Sequence, residues 1–230
     1  MFFDPLYLVF MIPALLLAGW AQLKVQSAYK RASNIAAGSG LSGREVAERI
    51  LGTEGLSGQV AVEMTRGFLG DHYDPSKKVL RLSPEVFNGR SLAALGVAAH
   101  EAGHAIQDAR HYVPLKLRNA IVPMASFGSN ASIFIIIIGA LFSSFQLIVA
   151  GIFLFSLVVV FQLINLPVEF DASARAKEIL TSSGYISQAE YPVVSEVLSA
   201  AAMTYVAATL SSILTLLYYI VRFGLGGSRD

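Results

Sequence analysis

"AIVPMASFGSNASIFIIIIGALFSSFQLIVAGIFLFSLVVVFQLINLPV", residues 120–168, decides what kind of chain this is. With Asn119 it forms a run of 50 residues, 119–168, without one charged side chain. Crossing a bilayer's hydrocarbon core takes about 20 apolar residues of helix, so the run is long enough for two crossings. Ser143 and Ser144 break it near the middle and predict a tight transmembrane hairpin, Ala120–Phe142 and Phe145–Val168.

Two further apolar stretches flank the hairpin at a distance. Residues 5–23, "PLYLVFMIPALLLAGWAQL", carry no charge, with Asp4 before them and Lys24, Lys30 and Arg31 after. A secretory signal peptide has the opposite arrangement, basic residues first and a small-residue cleavage site behind. The stretch therefore reads as a retained anchor, with Pro13 a candidate kink and Trp20 suited to the membrane interface. Residues 198–221, "LSAAAMTYVAATLSSILTLLYYIV", form the fourth span, and their small residues suit close helix packing. Composition agrees: 54% of the chain is hydrophobic and 14% charged, where soluble domains run nearer a quarter charged. A chain of 230 residues is too short to bury four such helices on all sides.

The absence of cysteine excludes disulfides, thiolate metal ligands and cysteine nucleophiles. A net charge of +1 without a concentrated basic patch argues against a nucleic-acid partner. The partner implied by four spans is the lipid bilayer. Basic residues set orientation: residues 24–118 hold thirteen Lys or Arg, and residues 169–197 hold Arg175 and Lys177, against Arg222 and Arg229 in the tail. With four crossings the two basic segments share one face. That predicts a multi-pass membrane protein with its polar part in the cytoplasm and both termini outside.

Residues 24–118 are different in kind. "LSGREVAERIL" carries a capping box, Ser42 with Glu45 three residues on, opening a helix whose apolar side is Val46, Ile50 and Leu51. "GQVAVEMT" and "KKVLRLS" read as short strands, and "RGFLGDHYDPS" between them as turn. Ser83 and Pro84 can open a short helix, and Ser91 can cap the next, "LAALGVAAHEAGHAIQDA".

That last helix carries the chemistry. His100 and His104 are one turn apart on one face, with Glu101 beside the first. This is the H-E-x-x-H pattern, in which two imidazoles hold one zinc and the glutamate serves as general base toward a zinc-activated water. Ala99, Ala102, Gly103 and Ala105 leave room around it. A catalytic zinc takes a third protein ligand and keeps one position open. Asp108 shares the histidine face but lies about 12 Å along the axis from His100, so it reads as an orienting or capping residue. His111 reads as surface, and His72 as surface or cleft. Glu169 is the first charge after the uncharged run, and Pro167 just before it sets a bend at which a helix can begin. Such a helix would bring Glu169 up against the histidine helix; on position alone it is equally an interfacial charge. Asp171 points about 200° away around the same helix, and Arg175 is placed to pair with a carboxylate or to steady transition-state charge.

"HEAGHAIQ", "LPVEFDAS", "DHYDPSKKVLRLS" and the position of the crossings together resemble the YugP-type neutral zinc metallopeptidases of bacterial membranes, over nearly the whole chain. More distantly the layout is similar to the HtpX-type membrane proteases. The resemblance implies an α-helical integral membrane protein with a small α+β, zincin-like metallopeptidase domain at the membrane surface. It implies one catalytic zinc on His100, His104 and Glu169. In the more distant proteases the third-ligand glutamate lies in a pattern of Glu, two residues, Ala, Asp. Here Glu169 and Ala172 match and Ser173 replaces the acid, so support behind the ligands falls to Ser173, Asp171, Asp108 or Arg175. The resemblance also sets "DHYDPSKKVLRLS" beside the cleft, its strand edge pairing with an extended substrate and His72 and Tyr73 as neighbours of that substrate.

The expected organisation is a first transmembrane helix (1–23), a polar part with the histidine helix (24–118), a hairpin (119–168), a helical segment supplying the third ligand (169–197), a fourth span (198–221) and a tail (222–230). The expected function is a zinc endopeptidase acting on membrane or membrane-proximal polypeptides. The alternative is a zinc-binding membrane scaffold or adaptor without hydrolysis. A transporter fits less well, because no crossing has a charge at its middle.

Overall fold

The computed structural model describes residues 4–65 and 70–224. Residues 66–69 of the turn-rich stretch, residues 1–3 of the first span and residues 225–230 of the tail lie outside the described residues. The described chain is mostly helical: α1 (Pro5–Ser33), α2 (Gly43–Thr53), β1 (Ala61–Met64), β2 (His72–Asp74), β3 (Val79–Leu82), α3 (Pro84–Phe87), α4 (Leu92–Ala109), α5 (Val113–Leu141), α6 (Phe145–Ser182) and α7 (Tyr191–Tyr219), closed by a π-helical turn (Ile220–Gly224). Among the described residues four helices, α1, α5, α6 and α7 with its closing turn, are long and apolar enough to cross a membrane. The chain divides into two compact units.

The first unit takes Met1–Ala21, Leu117–Leu166 and Thr204–Asp230. Many of its large apolar side chains point outward, among them Leu15, Leu16, Phe127, Phe134 and Phe153, while Ile136, Phe155 and Tyr218 are buried with small residues such as Ala14 and Ser132. Such outward apolar exposure is what a lipid solvent permits. Glycines set the approach of α5 and α6: a Cβ on Gly128 would stand 2.8 Å from the Leu154 carbonyl oxygen, and one on Gly151 would stand 2.5 Å from Ile136 Cγ1. Three residues, Phe142–Ser144, join the two helices, with Ser143 in the left-handed region at φ 51°. At the same end of the unit Asp4 Oδ2 accepts from Tyr218 Oη at 3.2 Å and pairs with Arg222 Nε at 3.2 Å. The start of α1 and the end of α7 are thus clasped together, which agrees with an even number of crossings.

The second unit takes Gln22–Lys116 and Pro167–Met203. Its core is aliphatic: Ile50 and Leu51 of α2, Leu80 and Leu82 of β3, Leu92, Leu95 and Ile106 of α4, and Leu180 of α6 are all fully buried. The capping box of α2 is formed in both directions, Ser42 Oγ accepting from Glu45 N–H at 3.2 Å and Glu45 Oε2 from Ser42 N–H at 2.7 Å. Ser83 stands at the N-cap of α3 with Pro84 following, but its hydroxyl donates to Asp71 instead of capping. Ser91 Oγ caps α4 by accepting from Ala94 N–H at 3.2 Å. The sheet has the order β1-β3-β2, with β1 parallel and β2 antiparallel to β3.

Two sequence readings need correction. The stretch read only as turn contains β2, a three-residue strand whose one buried side chain is Tyr73. Three residues are too few to display period-2 alternation. A tight connection through Lys78, left-handed at φ 54°, folds β2 back onto β3. The second correction is at Pro167, where no helix begins: α6 runs unbroken through it. An interior proline costs a helix about 3 kcal/mol. Here Val168, Ala172, Ala176 and Leu180 continue at four-residue spacing, all fully buried, and packing of that face outweighs the local cost. The spans also outrun their apolar stretches: α5 begins at Val113 and α7 at Tyr191.

Candidate metal centre

Helix α4 runs through the core of the second unit, buried on nearly every side from Leu92 to Gln107. Alanine and glycine make this possible, because bulkier residues would hold neighbouring backbones apart. Gly103 marks the closest approach. A Cβ there would stand 2.8 Å from the Ala172 carbonyl oxygen and 3.3 Å from its Cα. Glycine at this point lets α6 lie directly on α4, and the polar side chains of both helices meet around the contact.

His100, His104 and Glu169 are brought together, one nitrogen or oxygen from each lying within 4.8 Å of the others, and they could hold a metal ion. Glu169 Oε2 stands 3.3 Å from His100 Nε2 and 3.7 Å from His104 Nε2. The rings are edge to face with centroids 4.8 Å apart. All three side chains are largely buried. Among the described residues no other group of three metal-binding side chains converges. Burial opposes a charge on His104. The hydrogen bond to Glu169 and the negative charges of Glu101 and Glu169 nevertheless hold its imidazolium above the ordinary histidine range. Glu101 is buried one position along α4 from His100.

Behind the convergent atoms each ring is held at its other nitrogen. Ser173 Oγ is 3.2 Å from His100 Nδ1, and Gln107 Oε1 is 3.0 Å from His104 Nδ1. Gln107 Nε2 in turn donates to the Val168 carbonyl and to Asp171 Oδ2, both at 2.8 Å. Arg175 donates to both oxygens of Asp171, at 2.6 and 3.2 Å. Asp171 and Arg175 thus lie two and three links behind His104. Asp108 turns toward the sheet, where its Oδ2 accepts from Tyr73 Oη and Lys78 Nζ.

Tyr73 is buried by that arrangement, and burial followed by the hydrogen bond to Asp108 pushes its phenol well above the ordinary range. His72, exposed on β2, has Nδ1 2.7 Å from the Gly70 carbonyl and lies opposite Arg81 of β3. Both edges of β3 are occupied, so the edges of this sheet are β1 and β2. His111 follows the end of α4 in the left-handed region at φ 56°.

Gln107 is the residue the sequence reading passed over. The available signal was its spacing: a polar residue three positions after His104 shares that histidine's face, on a helix otherwise built of alanine, glycine and aliphatics.

A family model described as "Putative neutral zinc metallopeptidase" matches residues 7–224. The chain is also 49% identical over 218 residues to "Putative membrane protease YugP" of Bacillus subtilis (strain 168), a match covering 95% of this chain and 96% of that protein. No solved structure matches the chain.

Proposed function

Because the chain belongs to the neutral zinc metallopeptidase family, and is thus a multi-pass membrane zinc peptidase, we propose that it is an endopeptidase in which His100, His104 and Glu169 hold one zinc ion and Glu101 is the general base. What supports the ligand assignment is the approach of two Nε2 atoms to one carboxylate oxygen, at 3.3 and 3.7 Å, and what supports Glu101 as base is its place beside His100 in the H-E-x-x-H pattern. Ligand atoms on a tetrahedral zinc with bonds of about 2.0–2.1 Å lie about 3.4 Å apart, so both histidine–glutamate separations suit that ion. Two neutral imidazoles and one carboxylate also leave a net positive charge on the site, with one position for substrate.

Zinc bound there supplies Lewis acidity toward a water molecule and the scissile carbonyl. The remaining chemistry belongs to the chain. Glu101 takes a proton as the water oxygen bonds to the peptide carbon. It returns that proton to the amide nitrogen as the carbon–nitrogen bond breaks, releasing a carboxylic acid and an amine. Ser173 and Gln107 keep the two rings aimed. Arg175, committed to Asp171, steadies that support rather than reaching substrate.

The substrates of this reading are membrane or membrane-proximal polypeptides. Glu169 directly follows Val168, the last residue of the 50-residue uncharged run, so one ligand comes immediately after an apolar span along the chain. The distribution of Lys and Arg assigns that end of the span to the cytoplasm and both termini to the outside.

The test is hydrolysis of casein by the purified full-length protein in detergent, with and without a chelator, beside Glu101→Gln. The wild type should cleave and lose activity with its metal. Glu101→Gln should retain zinc and lose about 10²–10⁴-fold in rate, the usual contribution of a positioned acid–base group. Undiminished hydrolysis by Glu101→Gln would remove the mechanism. A wild type that holds zinc and cleaves nothing would make the protein a zinc-binding scaffold.

A further inference from the structure

The two ends of the Gln107 amide are told apart by their neighbours. Its nitrogen lies 2.8 Å from the Val168 carbonyl oxygen and 2.8 Å from Asp171 Oδ2. A peptide carbonyl and an ionised carboxylate only accept hydrogen bonds, so both amide hydrogens are spoken for. The oxygen must then face His104, and it stands 3.0 Å from Nδ1. An amide oxygen has no hydrogen to give, so the hydrogen of that contact belongs to Nδ1. In a neutral imidazole with Nδ1 protonated, Nε2 carries the lone pair. Nε2 is the atom that faces Glu169.

The orientation of the amide is itself anchored. Asp171 is held by two hydrogen bonds from Arg175, at 2.6 and 3.2 Å. Gln107 is completely buried, so no water competes for its amide. His100 lacks such a device. Its Nδ1 faces Ser173 Oγ at 3.2 Å, and a hydroxyl can give or take the hydrogen, so Ser173 dictates no tautomer.

We propose that Gln107 is a positioning residue that fixes the tautomer of His104 and aims its Nε2 at the metal position, with its own orientation set by Val168 and by Asp171 under Arg175. The inference rests on the reading of His104 as a metal ligand. It makes the two histidines unequal: His104 is preset for metal, whereas the tautomer of His100 is left to the metal itself.

The experiment uses full-length protein in detergent with cobalt(II) and zinc(II), reading affinity by competition with a chromophoric chelator and geometry from the cobalt visible spectrum. Gln107→Leu should bind either ion about 10–100-fold more weakly, the usual effect of removing a partner behind a metal ligand, and its cobalt bands should shift. Gln107→Glu keeps the size of the side chain but sets a second carboxylate against Asp171, so it should also bind weakly. Combining Gln107→Glu with Asp171→Asn restores a donor–acceptor pair in reversed sense and should recover much of the affinity, though not all, because the Val168 carbonyl still lacks its donor. Packing alone predicts a different pattern: near-wild-type binding by Gln107→Glu and no rescue by the second change.

Wild-type affinity with an unaltered cobalt spectrum in Gln107→Leu, or a double variant no better than Gln107→Glu, would overturn the proposal while leaving the metal site standing. A wild type that binds neither ion would overturn the metal site and the proposal together. If Gln107→Leu does not fold, the comparison of Gln107→Glu with the double variant decides the matter.

Discussion

Helix α6 belongs to both units, and its two parts obey opposite rules. Phe145–Leu166 turns large apolar side chains outward, with Phe153 64% exposed. From Pro167 onward the same helix buries Val168, Ala172, Ala176 and Leu180 and carries Glu169, Asp171, Ser173 and Arg175 in a polar network. The contrast is one of solvent. In lipid, exposure of an apolar residue costs nothing and a charge is expensive; in water the hydrophobic effect closes an aliphatic core and charges sit at its margin. What both parts share is close helix contact through glycine, at Gly128 and Gly151 in one and at Gly103 in the other. Packing of backbones is indifferent to the solvent outside.

The largest effect should come from moving a charge across that divide. Phe153→Lys places an ammonium on the outward face of the lipid-suited part and should disfavour membrane insertion by about 2.5–3.5 kcal/mol, read with an insertion reporter fused to the span. Phe170→Lys, at a residue 47% exposed in the other part, should change insertion and stability by no more than about 0.5 kcal/mol. Equal penalties at the two positions would break the comparison.

A smaller effect should follow from the shared feature. Gly103→Ala sets a Cβ 2.8 Å from the Ala172 carbonyl oxygen, and backbone cannot give way as a flexible side chain does. Thermal unfolding should show a loss of about 1–3 kcal/mol, with weakened metal binding as α6 is pushed from α4. Gly128→Ala meets the Leu154 carbonyl at the same 2.8 Å and should cost a similar amount without touching metal affinity. If Gly103→Ala left both stability and zinc unchanged, the close contact would have no energetic meaning.

The smallest effect lies on the sheet. Hydrogen bonds from Ser76, assisted by Lys77 and Arg81, hold the Asp74 carboxyl down to about 2 from an ordinary 3.8. A lowered folded-state value means stability that is present above the ordinary carboxylate range and is lost as pH falls through about 2. Asp74→Asn should therefore flatten the acid limb of a melting-temperature profile between pH about 4 and about 2 while leaving neutral pH nearly unchanged. An identical acid limb in wild type and variant would contradict the role given to these hydrogen bonds.

The division itself was legible in the sequence, because membrane spans announce themselves by length and lack of charge, and residues 119–168 satisfy both. The histidine helix was legible through the spacing of His100 and His104, whereas Glu169 was singled out as third ligand only by the family resemblance, because its position after an apolar run fits an interfacial charge equally well. What stayed hidden depends on partners far along the chain. β2 is a strand only because β3 lies beside it. Pro167 sits inside a helix only because the next four turns are gripped by packing, against the local preference that a sequence displays. The Gln107 amide joins His104 to Asp171, 64 residues on from Gln107, and neither the periodicity of α4 nor that of α6 records such a bond.

The central claim is that one metal ion is held jointly by α4 and by α6. Zinc content and affinity of Glu169→Ala, measured on protein purified in detergent beside the wild type, test it most directly. The account predicts about one tightly held zinc per wild-type chain and loss of that zinc from Glu169→Ala on dialysis against a mild chelator. Stoichiometric zinc, retained by Glu169→Ala as firmly as by the wild type, would contradict it.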